Sequence, residues 1–420
     1  MAHFAARLSR LYVRSFTGLP RKVWLLSLVM LVNRSGAMVV AFLSVYLINR
    51  MGYSATAAGW VMGSFGAGGI VGNYVGGLLN DRFGSWHIMF FSLVVAGFLH
   101  ILLGQTTGFY PICALVFVTS MVGDAFRPAN RAAIAVYADD GHLTQAYGLQ
   151  RLAANLGFSI GPALGGLLIF HYGYESLFWA DGITFLLAAG LFATTVPPDE
   201  TARPLKSTAP ASSPEQMERT ETRNGLRQPW LLRMILANAC IITCFFQVFS
   251  TAPVYLTQHG YSEGQFGLLL TVSGATIVLI EMPLVYLADR RYRPLYVMLA
   301  GTLLIVSGYL LLPAAVLTGY GLLLVWILLI TLGEILFMPF ISTYVAKHAP
   351  PARRGEYLGL LSASFSLAFV LTPVLGFQLA EYFGYGISIY GVSAIGIVGL
   401  LLLLTVDRSR EARSRQLALR

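Results

Sequence analysis

A few charged side chains lie inside long apolar stretches of this chain, and their types and spacing could support chemistry. The stretch GDAFRPANR at 123–131 places Asp124, Arg127 and Arg131 three and four residues apart, so they share one face of a helix. Glu334 lies within another apolar stretch and has no Lys or Arg three or four positions away. A lone charge at the centre of a membrane helix costs about 2.5–3.5 kcal/mol, so such side chains face protein or a water-filled cavity. They are therefore candidates for binding a polar substrate or carrying a proton.

The two acids differ in the alternatives that the sequence leaves for them. Glu334 is predicted to be the proton-coupling acid, because burial in an apolar cavity favours the neutral form of a carboxyl group. Asp124 is the second candidate for this role. It either titrates or forms a structural ion pair with Arg34 or Arg127 that holds two helices together.

Other polar, cationic or sulfur-containing side chains in the apolar stretches are candidates for lining a substrate cavity. They are Asn33, Arg34, Arg127, Arg151, Asn155, Gln247 and Met338. Polar side chains also stabilise contacts between membrane helices, so cavity lining and helix packing are both open interpretations.

The elements that carry these residues are predicted to be membrane-spanning helices. The chain is 56% hydrophobic and 11% charged, whereas soluble domains carry about 25% charged residues. Twelve apolar segments are long enough to cross roughly 30 Å of hydrocarbon. They lie near 24–48, 56–79, 88–105, 111–137, 144–170, 175–196, 230–257, 264–287, 295–313, 320–347, 356–380 and 386–406. The predicted fold class is an all-α membrane protein with twelve transmembrane helices.

The distribution of cations predicts the orientation of these helices. Five Lys or Arg residues precede the first segment and five follow the last, and most of the others lie in alternate loops. The opposite set of loops carries Arg50 alone. By the positive-inside rule, both termini are predicted to be cytoplasmic. The net charge of +9 then reflects topology and indicates no nucleic-acid partner.

The sequence also predicts two similar halves. GDAFRP at 123–128 corresponds to GEILFMP at 333–339, and GPALGG at 161–166 corresponds to TPVLGF at 372–377, each about 210 residues apart. A duplicated six-helix unit places a substrate site between its halves, near the middle of the membrane. The predicted domains are a basic N-terminal segment (1–22), a first bundle (23–196), a cytoplasmic linker (197–229), a second bundle (230–406) and a basic tail (407–420).

These features resemble the major facilitator superfamily over nearly the whole chain. The stretch GLLNDRFG at 77–84 resembles the G-x-x-x-D-R-x-G signature of that family, although Trp86 and His87 stand where two basic residues usually follow. The resemblance implies two pseudo-symmetric six-helix bundles whose first, fourth, seventh and tenth helices line the cavity. It also implies a conformational latch, formed by Gly77, Asp81, Arg82 and Gly84 together with Asp289 and Arg290 of the second half.

Two motifs bear on the direction of transport. A pattern of small residues resembles the motif typical of the twelve-helix drug:proton antiporters, and it comprises Gly157, Gly161, Pro162, Gly165 and Gly166. This resemblance implies proton-coupled efflux of small amphipathic molecules by alternating access. Alternatively, Gly333, Glu334 and Pro339 resemble the tenth helix of proton-coupled peptide importers, but Asn33 and Arg34 stand where those carriers have an E-x-x-E-R motif.

The remaining expectations concern partners and excluded classes. No cofactor or metal is predicted, and a proton gradient is the expected energy source. The expected partners are a small-molecule substrate, protons and the lipid bilayer. The chain is expected to act as a monomer in a plasma membrane such as the bacterial inner membrane. An enzyme is not expected, because the G-x-S-x-G match GYSEG at 260–264 lies in a short loop between two predicted helices.

Overall fold

The computed structural model describes residues 18–138, 143–198, 228–349 and 354–406, with the side chains of Asp81 and of residues 143, 144 and 354–356 outside this description. Most of the predicted N-terminal segment and linker, and the whole predicted tail, also lie outside it. The first six helices are α1 (Arg21–Arg50), α2 (Ala55–Phe83), α3 (Ser85–Leu103), α4 (Phe109–Tyr137), α5 (Leu143–Tyr172) and α6 (Glu175–Thr195). The second six are α7 (Pro229–Phe249, continued by Thr251–Gln258), α8 (Glu263–Arg291), α9 (Pro294–Thr318), α10 (Tyr320–His348), α11 (Arg354–Phe383) and α12 (Tyr385–Leu404).

The predicted all-α membrane fold with twelve long helices is confirmed. Eleven of the described helices are long and apolar enough to cross a membrane, and the glycine-rich α2 matches them in length. In the first bundle, α1 packs against α5 and α6, and α2 packs against α4. In the second bundle, α7 packs against α11 and α12, and α9 packs against α10. Contact between the bundles is made chiefly by α5 with α8 and by α2 with α11.

The first helix of each bundle is interrupted at a corresponding place. In α1, the helix ends at Ser35 and resumes at Met38. The carboxylate of Asp181 on α6, which is 1% exposed, accepts hydrogen bonds from the backbone N–H groups of Met38 (3.1 Å) and Val39 (2.9 Å). Since the first N–H groups of a helix have no partner within it, Asp181 supplies an N-cap from a neighbouring helix.

The corresponding interruption in α7 is stabilised by Gln247, which belongs to a short 3-10 turn (Phe246–Phe249). Its Nε2 donates to the carbonyl of Thr372 on α11 at 3.0 Å, and its Oε1 accepts from the hydroxyls of Ser250 and Thr251. Gln247 therefore joins α7 to α11 with its polar atoms satisfied inside the second bundle.

The molecule has two ends that differ in how the bundles meet. We call proximal the end at which residues 18 and 406 lie, and distal the end that carries Arg50. On the face of α2 that meets α11, Gly59 and Gly66 approach α11 so closely that a Cβ would lie 3.0 Å from its atoms. Gly77 lies on the same helical face nearer the proximal end, and a Cβ there would have no neighbour within 4 Å among the described residues. The α2–α11 contact is thus closed distally and open proximally.

Candidate functional site

The central feature of the candidate site is a charged group shared between the bundles. Arg151 on α5 forms an ion pair with Glu281 on α8, and Asn155, one turn further along α5, donates to the second Glu281 oxygen at 3.4 Å. The Glu281 side chain is 7% exposed, whereas that of Arg151 is 47% exposed. Glu281 is therefore a buried carboxylate held by the first bundle, and the guanidinium of Arg151 also reaches the cavity.

Glu334 lies beside this pair on α10. It is half-buried, and Arg151 is the charged group that acts on it electrostatically. Among the residues that the structure describes, Glu334 has no hydrogen bond or ion pair. With both acids ionised, the three groups carry a net charge of −1, and one proton on Glu334 makes them neutral. Glu334 is therefore the carboxyl group of this set that lacks a bonded partner in the described structure.

Arg151, Glu281 and Glu334 face a cavity of about 530 Å³ that extends from the middle of the bundle toward the proximal end. Its wall combines these charges with hydroxyl groups and with apolar side chains. The lining residues are Arg151, Asn155, Ile277, Glu281, Glu334, Ile335, Met338, Pro339, Ser342 and Thr343. Four of the sequence-predicted residues, Arg151, Asn155, Glu334 and Met338, thus come together from α5 and α10. A site of this size and mixed polarity suits an amphipathic small molecule.

A second charged cluster lies within the first bundle. Asp124 forms an ion pair with Arg127 on the same helix at 3.0 Å, and Arg34 lies within electrostatic range of both. Asp124 also packs against α2, where a Cβ on Gly69 would come within 2.6 Å of its Oδ2. Asp124 thus has the geometry of the structural ion pair, one of the two interpretations of its sequence position. Arg34 also lies 5.4 Å from the centre of the Phe158 ring on α5.

Two other candidates for cavity lining lie away from this cavity. Asn33 is 4% exposed, and its Nδ2 has no hydrogen-bond partner in the described structure. Gln247 is 1% exposed and is bonded within the second bundle, as described above. The other open interpretation of these polar side chains, helix packing, matches the placement of Gln247.

The predicted antiporter-like motif packs α5 on two sides. Gly157 and Gly161 face α1, where a Cβ would lie 2.6 Å from the Arg34 Cβ and 2.9 Å from the Ser35 carbonyl oxygen. Gly166 faces α8, where a Cβ would lie 2.8 Å from the Cα of Gly264. Small residues are therefore required on two faces of α5. The face toward α1 joins α5 to its own bundle, and the face toward α8 joins it to the opposite bundle. Gly165 and Pro162 complete the set, against α1 and α8 respectively.

The predicted latch residues lie at the proximal ends of α2 and α8. Gly84 adopts a φ of 80° between α2 and α3, a conformation that favours glycine. Arg82 is exposed, and the side chain of Asp81 lies outside the described part of the chain. In the second half, Asp289 lies 3.8 Å from Lys347 of α10, and Arg290 lies 4.5 Å from the centre of the Tyr286 ring.

Glu281 is the functional candidate that sequence patterns did not select as a site residue. It is an acid in the interior of an apolar segment, like Glu334, and Arg151 is a cation in a similar setting. The rarity of both within membrane segments could have suggested that they pair. The sequence, however, does not show which of several acids is the partner of Arg151. That identification depends on how α5 packs against α8.

Comparisons with known proteins agree with this architecture. The model of the Major Facilitator Superfamily matches residues 23–315 and 249–419. An uncharacterized MFS-type transporter, YqjV of Bacillus subtilis, is 26% identical over 380 residues, covering 87% of each chain. A Na(+), Li(+), K(+)/H(+) antiporter of Planococcus maritimus is 22% identical, covering 84% of this chain and 88% of the relative.

Two further comparisons extend the likeness to other carriers. The multidrug resistance protein MdtH of Photorhabdus laumondii is 21% identical, covering 91% of this chain and 92% of the relative. A solved POT family transporter in complex with 5-aminolevulinic acid shares the fold, with a TM-score of 0.78, 14% identity, and coverage of 94% of this chain and 98% of that chain. The chain is therefore a membrane transporter, not an enzyme, and it belongs to the Major Facilitator Superfamily.

Proposed function

We propose that this protein is a proton-coupled antiporter that exports small amphipathic organic molecules by alternating access. The observation that carries the proposal is the placement of Glu334, an acid without a hydrogen bond or ion pair in the described structure, in the wall of the inter-bundle cavity. Similarity to a multidrug resistance protein and to a cation/proton antiporter supports both parts of the proposal.

The coupling follows from the charge of the site. When Glu334 is ionised, the set Arg151, Glu281 and Glu334 has one excess negative charge, which favours a proton or a cationic group of a substrate. Both compete for the same carboxylate, so occupation by one displaces the other. Glu281 remains compensated by Arg151 in either case. Exchange of one proton for one monovalent cation moves no net charge across the membrane, so the pH difference drives it; one pH unit supplies about 1.4 kcal/mol, enough for roughly ten-fold accumulation.

The apolar part of the wall sets the expected substrate class. Ile277, Ile335 and Met338 provide hydrophobic surface, and Ser342 and Thr343 provide hydroxyl groups toward the proximal end. A molecule with a hydrophobic body and a single polar or cationic group fits this distribution. Under the positive-inside rule the proximal end is cytoplasmic, so this cavity would receive its substrate from inside the cell. The carrier is expected to work as a monomer in the bacterial inner membrane, with no cofactor.

The test is transport by purified protein in liposomes with an imposed pH gradient. Glu334→Gln mimics the protonated acid, so gradient-driven accumulation of a lipophilic cation such as ethidium should be lost while downhill exchange survives. The matched control is Glu175→Gln, which removes an exposed acid paired with Arg50 at the distal end. Uphill transport with normal pH dependence in Glu334→Gln would contradict the proposal and make Asp124 the better candidate.

Proton-coupled import of peptides is the second candidate function. It is favoured by the half-exposed guanidinium of Arg151, which lies in the same cavity as two acids and could bind the carboxylate of a peptide. A dipeptide panel in the same liposomes separates the two functions. Uptake of dipeptides in the direction of proton flow would support import, and movement of cations against it would support export.

A further inference from the structure

We propose that Tyr174 and Glu381 are gating residues that hold the distal end of this transporter closed. Each forms a hydrogen bond that joins one bundle to the other. Glu381 of the second bundle bonds to the first turn of α2, and Tyr174 of the first bundle bonds to the first turn of α8. The proposal concerns the conformational cycle and is independent of which substrate is carried or whether protons drive it.

The first of these contacts joins α11 to α2. Glu381, in the last turn of α11, accepts a hydrogen bond through Oε2 from the backbone N–H of Thr56 at 2.5 Å. Thr56 lies in the first turn of α2, where Ser54 already caps the N–H of Ala57. The N–H groups of a first helical turn have no partner within the helix and carry partial positive charge, so a carboxylate is well suited to this position. Glu381 thus completes the N-cap of α2 only while the two bundles are in contact.

The second contact joins the start of α6 to the start of α8. The hydroxyl of Tyr174 donates a hydrogen bond to Oε1 of Glu263, the first residue of α8. In the half-chain repeat α8 corresponds to α2, so each bundle has a cross-bundle bond at the N-terminus of its second helix. A third bond, from Asn49 Nδ2 to Thr257 Oγ1 at 3.2 Å, joins the distal ends of α1 and α7.

The placement of these bonds indicates what they control. The cavity lies in the proximal half, and the α2–α11 contact opens toward that end, where a Cβ on Gly77 would meet no atom of the described structure within 4 Å. Exposure of the cavity on the distal side requires the distal ends of α2 and α11, and those of α5 and α8, to separate. The bond of Glu381 joins α11 to α2, and the bond of Tyr174, two residues beyond the end of α5, joins that end of the first bundle to the start of α8, so both must break in that step. Their energies therefore bias the protein toward the proximally open state described here.

The distal end also provides a matched control. Arg50 and Glu175 form an ion pair at 3.0 Å on the same face of the molecule, but both belong to the first bundle. Because α1 and α6 move together, this pair need not break when the bundles separate. Its removal should leave the balance between the two states unchanged.

The experiment measures access to the cavity from the distal side. The three native cysteines, Cys113, Cys240 and Cys244, are first replaced by Ala. A reporter cysteine then replaces Ser342, an exposed residue of the cavity wall. A membrane-impermeant maleimide is applied to each face of oriented liposomes. Labelling of a cysteine at the 81% exposed Tyr110, in the first turn of α4, identifies the distal face.

We expect Tyr174→Phe and Glu381→Ala each to raise distal labelling of the reporter about tenfold, since a hydrogen bond to an ionised group contributes at least a factor of this size. Glu175→Gln should leave it unchanged. Unchanged distal labelling in the Tyr174→Phe/Glu381→Ala double variant, or an equal rise in Glu175→Gln, would overturn the proposal.

A second measurement covers the case in which the double variant does not fold. Cysteines at positions 49 and 257, where Asn49 and Thr257 are hydrogen-bonded, should form a cross-link that holds the distal ends together. Oxidation should then abolish transport and distal labelling, and reduction should restore both. Transport that continues at its full rate in the oxidised protein would show that the distal ends need not separate.

Discussion

At the scale of single residues, the ion pair between Arg151 and Glu281 distinguishes the two acids of the cavity. Glu281 is almost fully buried and is compensated by a guanidinium from the other bundle. Glu334 shares the electrostatic influence of Arg151 without a direct bond. Two carboxylates in one cavity would otherwise share a proton, because like charges at short distance disfavour double ionisation. In the proposed coupling mechanism, Arg151 leaves Glu334 as the acid that exchanges the proton.

Substitution of Arg151 should show how strongly Glu281 and Glu334 depend on its positive charge. Arg151→Gln leaves Glu281 as an uncompensated buried charge; because the Arg151 side chain is 47% exposed, the cost should lie below the about 3–5 kcal/mol of a fully buried pair. We expect a lower thermal unfolding midpoint and a changed pH dependence of transport, since the cavity loses its positive charge. Partial recovery in the charge-swapped Arg151→Glu/Glu281→Arg variant would assign the effect to the pair.

The control for this experiment is Arg50→Gln, which breaks an exposed ion pair at the distal end. Exposed pairs contribute about 0–1 kcal/mol, so its unfolding midpoint should stay near that of the unchanged protein. If Arg151→Gln were as stable as Arg50→Gln and had the same pH profile, the assigned role of Arg151 would be wrong.

At the scale of helices, the interruptions of α1 and α7 show how polar side chains serve packing. Asp181 caps the distal half of α1, and Gln247 satisfies the polar groups around the turn in α7. The backbone N–H and C=O groups at these interruptions have lost their helical hydrogen-bond partners. Without these side chains they would be left unpaired in an apolar environment, which costs free energy. The distal half of α1 leads to Asn49, which contacts α7. Asp181 therefore positions an element of the interface between the bundles.

Removal of this cap should destabilise the first bundle. Asp181→Ala leaves the N–H groups of Met38 and Val39 without an acceptor, and each unsatisfied group costs about 1–3 kcal/mol. We expect a thermal midpoint lower by several degrees and a smaller effect for Asp181→Asn, which keeps one acceptor oxygen. Thr194→Val on the same helix is the control, because in the described structure that hydroxyl donates to carbonyls of its own helix. Equal midpoints for Asp181→Ala and the control would contradict the capping role.

At the scale of the whole molecule, topology connects the two ends of the bundle to the two sides of the membrane. Described residues 18 and 406 lie at the same end, and the opposite end carries Arg50. By the positive-inside rule the end with residues 18 and 406 should face the cytoplasm. The cavity then opens to the cytoplasm, and the distal bonds of Tyr174 and Glu381 face the exterior.

Reporter fusions test this orientation directly. Alkaline phosphatase and green fluorescent protein fused after residues 210 and 420 should both report a cytoplasmic location, because an even number of spans places these positions on one side and the positive-inside rule makes that side the cytoplasm. A fusion after Arg50 should report the exterior. An exterior result at residue 210 or 420 would contradict the topology and reverse the direction in which the cavity opens.

The sequence by itself determined the properties that depend on neighbouring residues. The twelve helices follow from the length of the apolar segments. The repeat of the two half-chains follows from similar stretches such as GDAFRP and GEILFMP. The candidate acids Asp124 and Glu334 follow from the rarity of charge in such segments. These inferences needed no tertiary information, because hydropathy and helical spacing are local.

Only the tertiary structure decided which of these residues meet. It paired Arg151 with Glu281 rather than with Glu334, placed Gln247 in helix packing, and brought Glu381 to the first turn of α2. Each of these contacts joins residues more than 100 positions apart, and it depends on the rotation of each helix about its axis. That rotation is set by close approach of backbones at small residues such as Gly157 and Gly166, whose partners lie on other helices. A pattern read along one helix carries no information about which face of another helix it will contact.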